Sequence, residues 1–398
     1  MAAVEALFFY LLALASCTSL AALNAALGGL TLFFLYRLAT GRWRPGLPAL
    51  LLLAFFGWTA VAALASPRRD LALPGVLHLW SWTALLTASA LPEALRERLG
   101  RFGAVMGFSA FAAAAAAAAE FVRGAYRYDD LLHPRGRALA DPAAGFFSHH
   151  LTFGGVLSVA GFFLAGLLLY TNLPWKTRWP WAAGTLSACA GLVTSLTRTY
   201  WLAALPAAAC LLWGKGRRWV AGGGLAAALA AALLLAAGPE ALRARALSTF
   251  DASNASNAER IYLWISGLHM WRDRPLLGWG PDTYPALSPP YRAPYAQFVR
   301  HPGAPAGFET TSHAHNLYLM IALHSGAVGL LLFLAFAGAT LRALARHPDP
   351  RLRYGLLAAF AAFLAGGFFE FNGGDAEVAT LLFFLLGLGL AGTGRAAP

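Results

Sequence analysis

Residues 310–329 read TTSHAHNLYLMIALHSGAVG, a polar turn with two histidines and an asparagine that runs directly into an apolar segment. Read as a helix, His315, Leu319, Ala322, Gly326 and Gly329 share one stripe, the periodicity of a single helical face. Two glycines on that stripe would let a second helix approach closely. Asn316 is placed either to fix a histidine ring or to bind a hydroxyl, and His313 stands on the preceding loop. On these residues alone, the pair serves equally well as interfacial histidines at a helix start.

The rest of the chain decides what kind of helix this is. Of its 398 residues 59% are hydrophobic and only 12% charged, far outside the composition of a soluble domain. The expected fold class is an all-α polytopic membrane protein. A net charge of +12 would suggest nucleic acid in a soluble protein, but here it reads as the loop signal that orients membrane helices, and no nucleic-acid motif accompanies it. Cys17, Cys189 and Cys210 all lie in apolar segments with no metal or disulfide spacing. Leu14-Ala15-Ser16-Cys17 resembles a lipoprotein cleavage site. The first sixteen residues nevertheless contain Glu5 and no Lys or Arg, so a retained first helix is expected.

Apolar runs able to cross about 30 Å of hydrocarbon number about twelve, near residues 4–22, 25–40, 47–66, 71–91, 103–122, 148–170, 180–197, 199–213, 219–237, 314–338, 354–371 and 376–393. They divide the chain into a first membrane block (1–237), a large loop (238–313) and a second block (314–398). With the amino terminus inside, sixteen Lys and Arg fall in short cytoplasmic loops, among them Arg42, Lys176, Lys215, Arg346 and Arg351, against seven in short outer ones. The long loop is left out of the comparison because such loops cross largely regardless of charge. The His315 mouth then faces outward.

That loop, about 75 residues long, is expected to be functional. Ser256 and Glu259 have capping-box spacing, and Ile261, Trp264, Ile265, Leu268 and Trp271 recur at helical spacing. This predicts an amphipathic helix of about fifteen residues on the outer membrane face, ended by Pro275 and Gly278. Arg260 sits on its first turn, and the aperiodic run from Pro281 to Tyr295 is expected to form a lid. A second outer segment, Arg123 to Ser148, mixes charges before His149 and His150. An arginine in VTSLTRTYWL, Arg198, would cost about 2.5–3.5 kcal/mol near a helix centre. It is either a snorkelling loop residue or, at the level of Arg260 and His315, one of two guanidiniums suited to capture phosphate.

Other local readings stay open. His313 and His315 could ligate a metal if His301, Glu309 or the His149–His150 pair supplied a third ligand, and His313 could replace His315 as base. Asp282 and Glu309 are candidate acceptor-binding groups or orienters of the histidine. The acidic turn of Glu370, Asn372, Asp375 and Glu377 is assigned to structure, with pairing to Arg198 or the loop arginines as the other reading.

His315-Asn316 followed by Gly326-Ala327-Val328-Gly329 resembles the signature of the O-antigen ligase and polymerase superfamily. Thr194 to Arg198 is similar to that family's Ser/Thr-rich turn. Glu259-Arg260 through Trp264 to Asp273-Arg274-Pro275-Leu276-Leu277-Gly278-Trp279-Gly280 is similar to its outer-loop helix and Pro-Leu-Leu-Gly ending. The likeness covers roughly residues 180–335. Where an Asn-Pro-Asn-like turn is expected, the chain has Asp141-Pro142 and then Ser148-His149-His150.

The resemblance implies a GT-C-like membrane glycosyltransferase of the bacterial inner membrane, needing no metal or other cofactor. It would take a glycan from undecaprenyl pyrophosphate on the periplasmic face and pass it to a hydroxyl of lipid A-core. Polymerases and protein O-oligosaccharyltransferases of the same superfamily are the alternatives. Carried onto this chain, Arg198 and Arg260 would bind the pyrophosphate and His315 would be the general base, with His313 and Asn316 as further substrate contacts. A histidine, with an ordinary pKa near 6.5, is mostly neutral at pH 7 and so able to accept a hydroxyl proton. A transporter of lipid-linked glycan is the rival class. Related halves would be expected of it, and none is found.

Overall fold

Leu-, Ala- and Phe-rich runs in hydrocarbon must satisfy every backbone group internally, which leaves the helix as the available form. The computed structural model describes residues 2–131, 142–238, 240–298 and 312–391. In chain order the first half gives α1 (Ala2–Ala15), α2 (Leu20–Ala39), α3 (Leu47–Leu64), α4 (Arg69–Gly75), α5 (Ala84–Ser89), α6 (Glu93–Arg96), α7 (Leu99–Leu131) and α8 (His150–Leu169). Then follow α9 (Trp175–Thr194), α10 (Arg198–Trp213), α11 (Arg217–Ala237), α12 (Glu240–Leu247), α13 (Ala255–Asp273), α14 (Tyr284–Leu287), α15 (Pro289–Arg292), α16 (Leu317–Ala345), α17 (Pro350–Gly366) and α18 (Ala376–Leu390). Among the described residues there is no strand.

Each expected apolar run coincides with one of these helices, or with the chain of short ones from Arg69 to Ser89. Among the described residues seven are, by length and composition, fit to cross a membrane: Leu20–Ala39, Leu47–Leu64, Arg69–Ser89, Leu99–Glu120, His150–Leu169, Arg217–Ala237 and Leu317–Ala345. Ala2–Ala15 and Ala376–Leu390 are shorter apolar helices. The count falls below the expected twelve for physical reasons. At about 1.5 Å per residue, α10 and α17, with 16 and 17 residues, fall short of the hydrocarbon thickness. α9 begins with a polar turn that carries Lys176 and Arg178.

α8 and α18 are buried along most of their length, and α17 packs between α8 and α10. The α8–α17 crossing is close because Gly166 and Gly355 face each other there, and a Cβ on Gly166 would collide with the Gly355 backbone. The near end of α8 carries His150. Its far end meets a basic aromatic cluster, where Lys215 Nζ lies 4.8 Å over the Tyr170 ring and Tyr170 stacks on Tyr354 at 4.7 Å. Near the amino terminus, Glu5 is buried and receives both terminal nitrogens of Arg37 at 2.6 and 2.7 Å, the bidentate pairing a buried carboxylate needs.

α16 is not the continuous helix expected. It starts at Leu317, so His315 precedes it, and it breaks at Gly326, whose φ of 67° lies in the left-handed region. A break inside a helix exposes carbonyls that need new donors. They are supplied from outside: Trp279 N–H donates to the Leu323 carbonyl at 2.7 Å, Gly280 N–H to the His324 carbonyl at 3.0 Å, and Trp58 Nε1 to the Ser325 carbonyl at 2.8 Å. Ala327 N–H in turn donates to the Pro275 carbonyl at 2.7 Å. The Pro-Leu-Leu-Gly-Trp-Gly stretch is thus a plug that caps the break, and Gly326 is needed for backbone freedom rather than helix approach. Gly326→Ala would bring a Cβ onto the Leu276 carbonyl in a conformation L residues avoid. It is expected to cost about 1–3 kcal/mol, read as a lower thermal midpoint of the detergent-solubilised protein; an unchanged midpoint would show that the break is not held this way.

The loop helix also departs from expectation. Asn254, not Ser256, occupies the N-cap position of α13, without a side-chain cap bond, and Ser256 Oγ instead accepts from Arg260 NH1 at 2.6 Å. The buried face of α13 is Leu263, Ser266, Gly267 and Met270, while Ile261 and Leu268 of the expected stripe are exposed. Leu263 and Met270 join Tyr284, Ala314, Met320 and Leu323 in a second apolar cluster that fastens the loop to α16. The aperiodic Pro281–Tyr295 run contains short helices, of which α15 packs on α13. Of the residues singled out in the sequence, Arg135, Arg137, Asp141, His301 and Glu309, with the side chains of Arg123 to Asp130, lie outside the described residues.

Candidate active site

One end of the bundle collects the polar residues that the helices carry there. The start of α8 brings His149 and His150, the start of α10 brings Thr197 and Arg198, α12 brings Arg245, α13 brings Arg260, and the approach to α16 brings His315. Together they line a cavity of about 520 Å³, a volume suited to a small ligand or headgroup. The turns that aim these groups are strained. Among the described residues the only non-glycine positions with positive φ are Leu196 (51°), Asp282 (56°) and His315 (47°), and two of the three are at this end. Such conformations persist where surrounding contacts enforce them, commonly at functional sites.

His315 is held by a residue assigned to structure from the sequence. Its Nδ1 lies 2.9 Å from Glu370 Oε2 and 3.1 Å from Oε1. Glu370 follows α17, its side chain is 3% exposed, and one oxygen accepts from Phe371 N–H at 3.0 Å. Burial alone would raise the Glu370 carboxyl, but the hydrogen bond with His315 outweighs it, Arg260 adds to the pull, and the group is held down at about 2. An ionised carboxylate facing Nδ1 fixes the proton there and leaves Nε2 with a free lone pair.

His313 is placed differently. Its ring packs edge-on against His315 at 4.4 Å, Nδ1 accepts from His315 N–H at 3.3 Å, and it does not line the cavity. Burial pushes its imidazole down to about 4, against the pull of Glu370. Asn316 is the N-cap of α16: Oδ1 accepts from Leu319 N–H at 2.9 Å, and Nδ2 donates to the Phe368 carbonyl at 2.9 Å. Both ends of its amide are committed to the fold, in place of the substrate contact expected. Asp282 pairs with His78 at 2.7 Å and orients neither histidine.

Arg198 is 6% exposed and is no snorkelling residue; NH1 donates to the Ser248 carbonyl and to its Oγ at 2.9 Å, and NH2 reaches Asn254 Oδ1 at 3.4 Å. Arg260 donates through Nε to the Phe369 carbonyl at 3.1 Å and stands 4.0 Å from Glu370. Arg245 is one basic residue among several in the loop, with no motif around it to single it out. Glu259 is the sole carboxylate among the lining residues, so the cavity is strongly cationic. Guanidiniums gathered this way call for an anion.

Residues 182–334 match the family model described as O-antigen ligase. Among curated proteins no match is found. The ligase-family stretch runs from within α9 to within α16 and includes Arg198, Arg245, Arg260, His313 and His315. His149, His150 and Glu370 lie outside it, so the site is completed by helices on both sides of the matched stretch.

His313, His315 and Glu370 also offer three donor atoms within 4.8 Å of one another, so the third ligand lacking in the sequence is Glu370.

Proposed function

We propose that this chain is an O-antigen ligase-type glycosyltransferase. It would move a glycan from undecaprenyl pyrophosphate to a hydroxyl of lipid A-core, without a metal, on the periplasmic face of the bacterial inner membrane. The observation that carries the reading is the His315–Glu370 pair beside an arginine-lined cavity. The acceptor hydroxyl attacks the anomeric carbon as its proton passes to His315 Nε2, while Glu370 balances the imidazolium that forms. The bond from that carbon to the diphosphate oxygen breaks, and guanidiniums balance the charge left on the leaving group. Direct displacement inverts the anomeric centre. The basic cluster around Lys215 and Arg353, at the end of the bundle away from the cavity, supports this orientation.

The test is transfer by purified protein from a lipid-diphosphate glycan to either core lipid or a second donor molecule, with and without chelator. Growth of the core lipid, unchanged by chelator and with inverted linkage, is expected. Growth of the second donor would make the enzyme a polymerase, and loss of activity on chelation would give the three-ligand cluster to a metal.

A further inference from the structure

The three guanidiniums of the cavity are not equivalent. Both terminal nitrogens of Arg198 are occupied by oxygens of Ser248 and Asn254. Arg260 uses Nε and NH1 on Phe369 and Ser256, and turns NH2 toward Glu370. Arg245 is held only through Nε, which donates to the Leu196 carbonyl at 2.9 Å. Its two terminal nitrogens donate to no described residue, yet the side chain lines the cavity.

The anchoring is reciprocal. Arg198, the first residue of α10, reaches out to Ser248, and Arg245, near the end of α12, reaches back to Leu196 on the turn before α10. Ser248 Oγ closes the clasp by donating to the Arg245 carbonyl at 2.8 Å. The left-handed backbone at Leu196 lies at the point where this clasp takes hold. A guanidinium fixed through Nε with a free two-nitrogen fork is prepared for bidentate capture of phosphoryl oxygens. Burial and the neighbouring Arg260 both weaken its hold on its own proton, a repulsion that a bound anion would relieve.

We infer that Arg245 is the residue that grips the donor's diphosphate directly, with Arg198 and Arg260 building the wall and the field around it. This rests on the glycosyl-transfer reading above, and it moves the principal phosphate contact away from the two arginines that the family signature points to.

The full-length protein in detergent, titrated with inorganic pyrophosphate and followed by thermal shift, tests the assignment. Arg245→Ala is expected to weaken pyrophosphate binding by about tenfold to a hundredfold, the loss of charge-assisted hydrogen bonds. Arg245→Lys should fall between, and Arg243→Ala, which removes an exposed charge of the same helix, should bind as the parent does. If Arg245→Ala impairs folding, Arg245→Lys carries the comparison. Equal binding by the parent and Arg245→Ala would overturn the assignment and leave the diphosphate reading standing. So would an equal loss in Arg243→Ala, which would reduce the effect to net charge. A parent protein that ignores pyrophosphate would instead overturn the diphosphate reading itself, and this assignment with it.

Discussion

His315→Asn is expected to lower the turnover of glycan transfer by about 10²- to 10⁴-fold, the usual worth of a general base, with donor binding retained. Asparagine is the informative replacement because its side-chain amide nitrogen falls near the position of Nδ1. It can therefore still donate to Glu370, while the Nε2 lone pair is deleted. It also tolerates the left-handed backbone that His315 adopts at φ 47°, where most residues would add strain. Alanine would confound the result, since it leaves the buried Glu370 carboxylate without its closest partner. Turnover and donor dissociation constant, measured on protein of unchanged thermal midpoint, check the outcome. Full transfer by His315→Asn would remove the base from the mechanism and bring His313 forward.

The sequence made some of this visible and hid the rest for definite reasons. Hydropathy located the helices because lipid leaves few options for apolar backbone, yet crossing length depends on where a helix begins, and the polar start of α9 is not set by its apolar stretch alone. Arg198, Arg260 and His315 could be selected because each breaks an apolar or periodic pattern. Glu370 could not, since it meets His315 across 55 residues of chain and nothing in the turn after α17 marks it as different from Asp375 or Glu377. The N-cap role of Asn316 carries a signal in the sequence, since an asparagine directly before an apolar periodic run is the usual N-cap pattern. Extending the helical stripe back to His315 obscured it. Gly326 was placed on that stripe for the same reason, and only the hydrogen bonds from Trp279, Gly280 and Trp58 show that the helix stops and restarts there.

Glu370→Gln is expected to reduce turnover on a scale comparable to loss of the base itself, about 10²- to 10⁴-fold, although it touches no substrate. The amide has nearly the shape of the carboxylate, so packing is preserved and the effect is electronic. Its nitrogen can donate toward Nδ1, which moves the imidazole proton to Nε2 and leaves no lone pair for the acceptor hydroxyl; its neutral oxygen no longer balances the imidazolium. A positioning role predicts a fall in turnover with the donor KM little changed, partial rescue by Glu370→Asp, and no additional loss when Glu370→Gln is combined with His315→Asn, because the two residues act as one unit. The acid side of the stability curve gives a second, independent readout. The Glu370 carboxyl lies near 2 in the folded chain against an ordinary value of 4.5. The stability it contributes is therefore fully present above about pH 4.5 and is lost as pH falls toward about 2. Glu370→Gln should flatten that part of the curve and, by removing the pull of Glu370 on His313, deepen the descent that begins near pH 6.5, where the unfolded chain protonates His313 before the buried ring does. Wild-type turnover in Glu370→Gln, or an unaltered acid limb of unfolding, would return Glu370 to the structural role its sequence suggested.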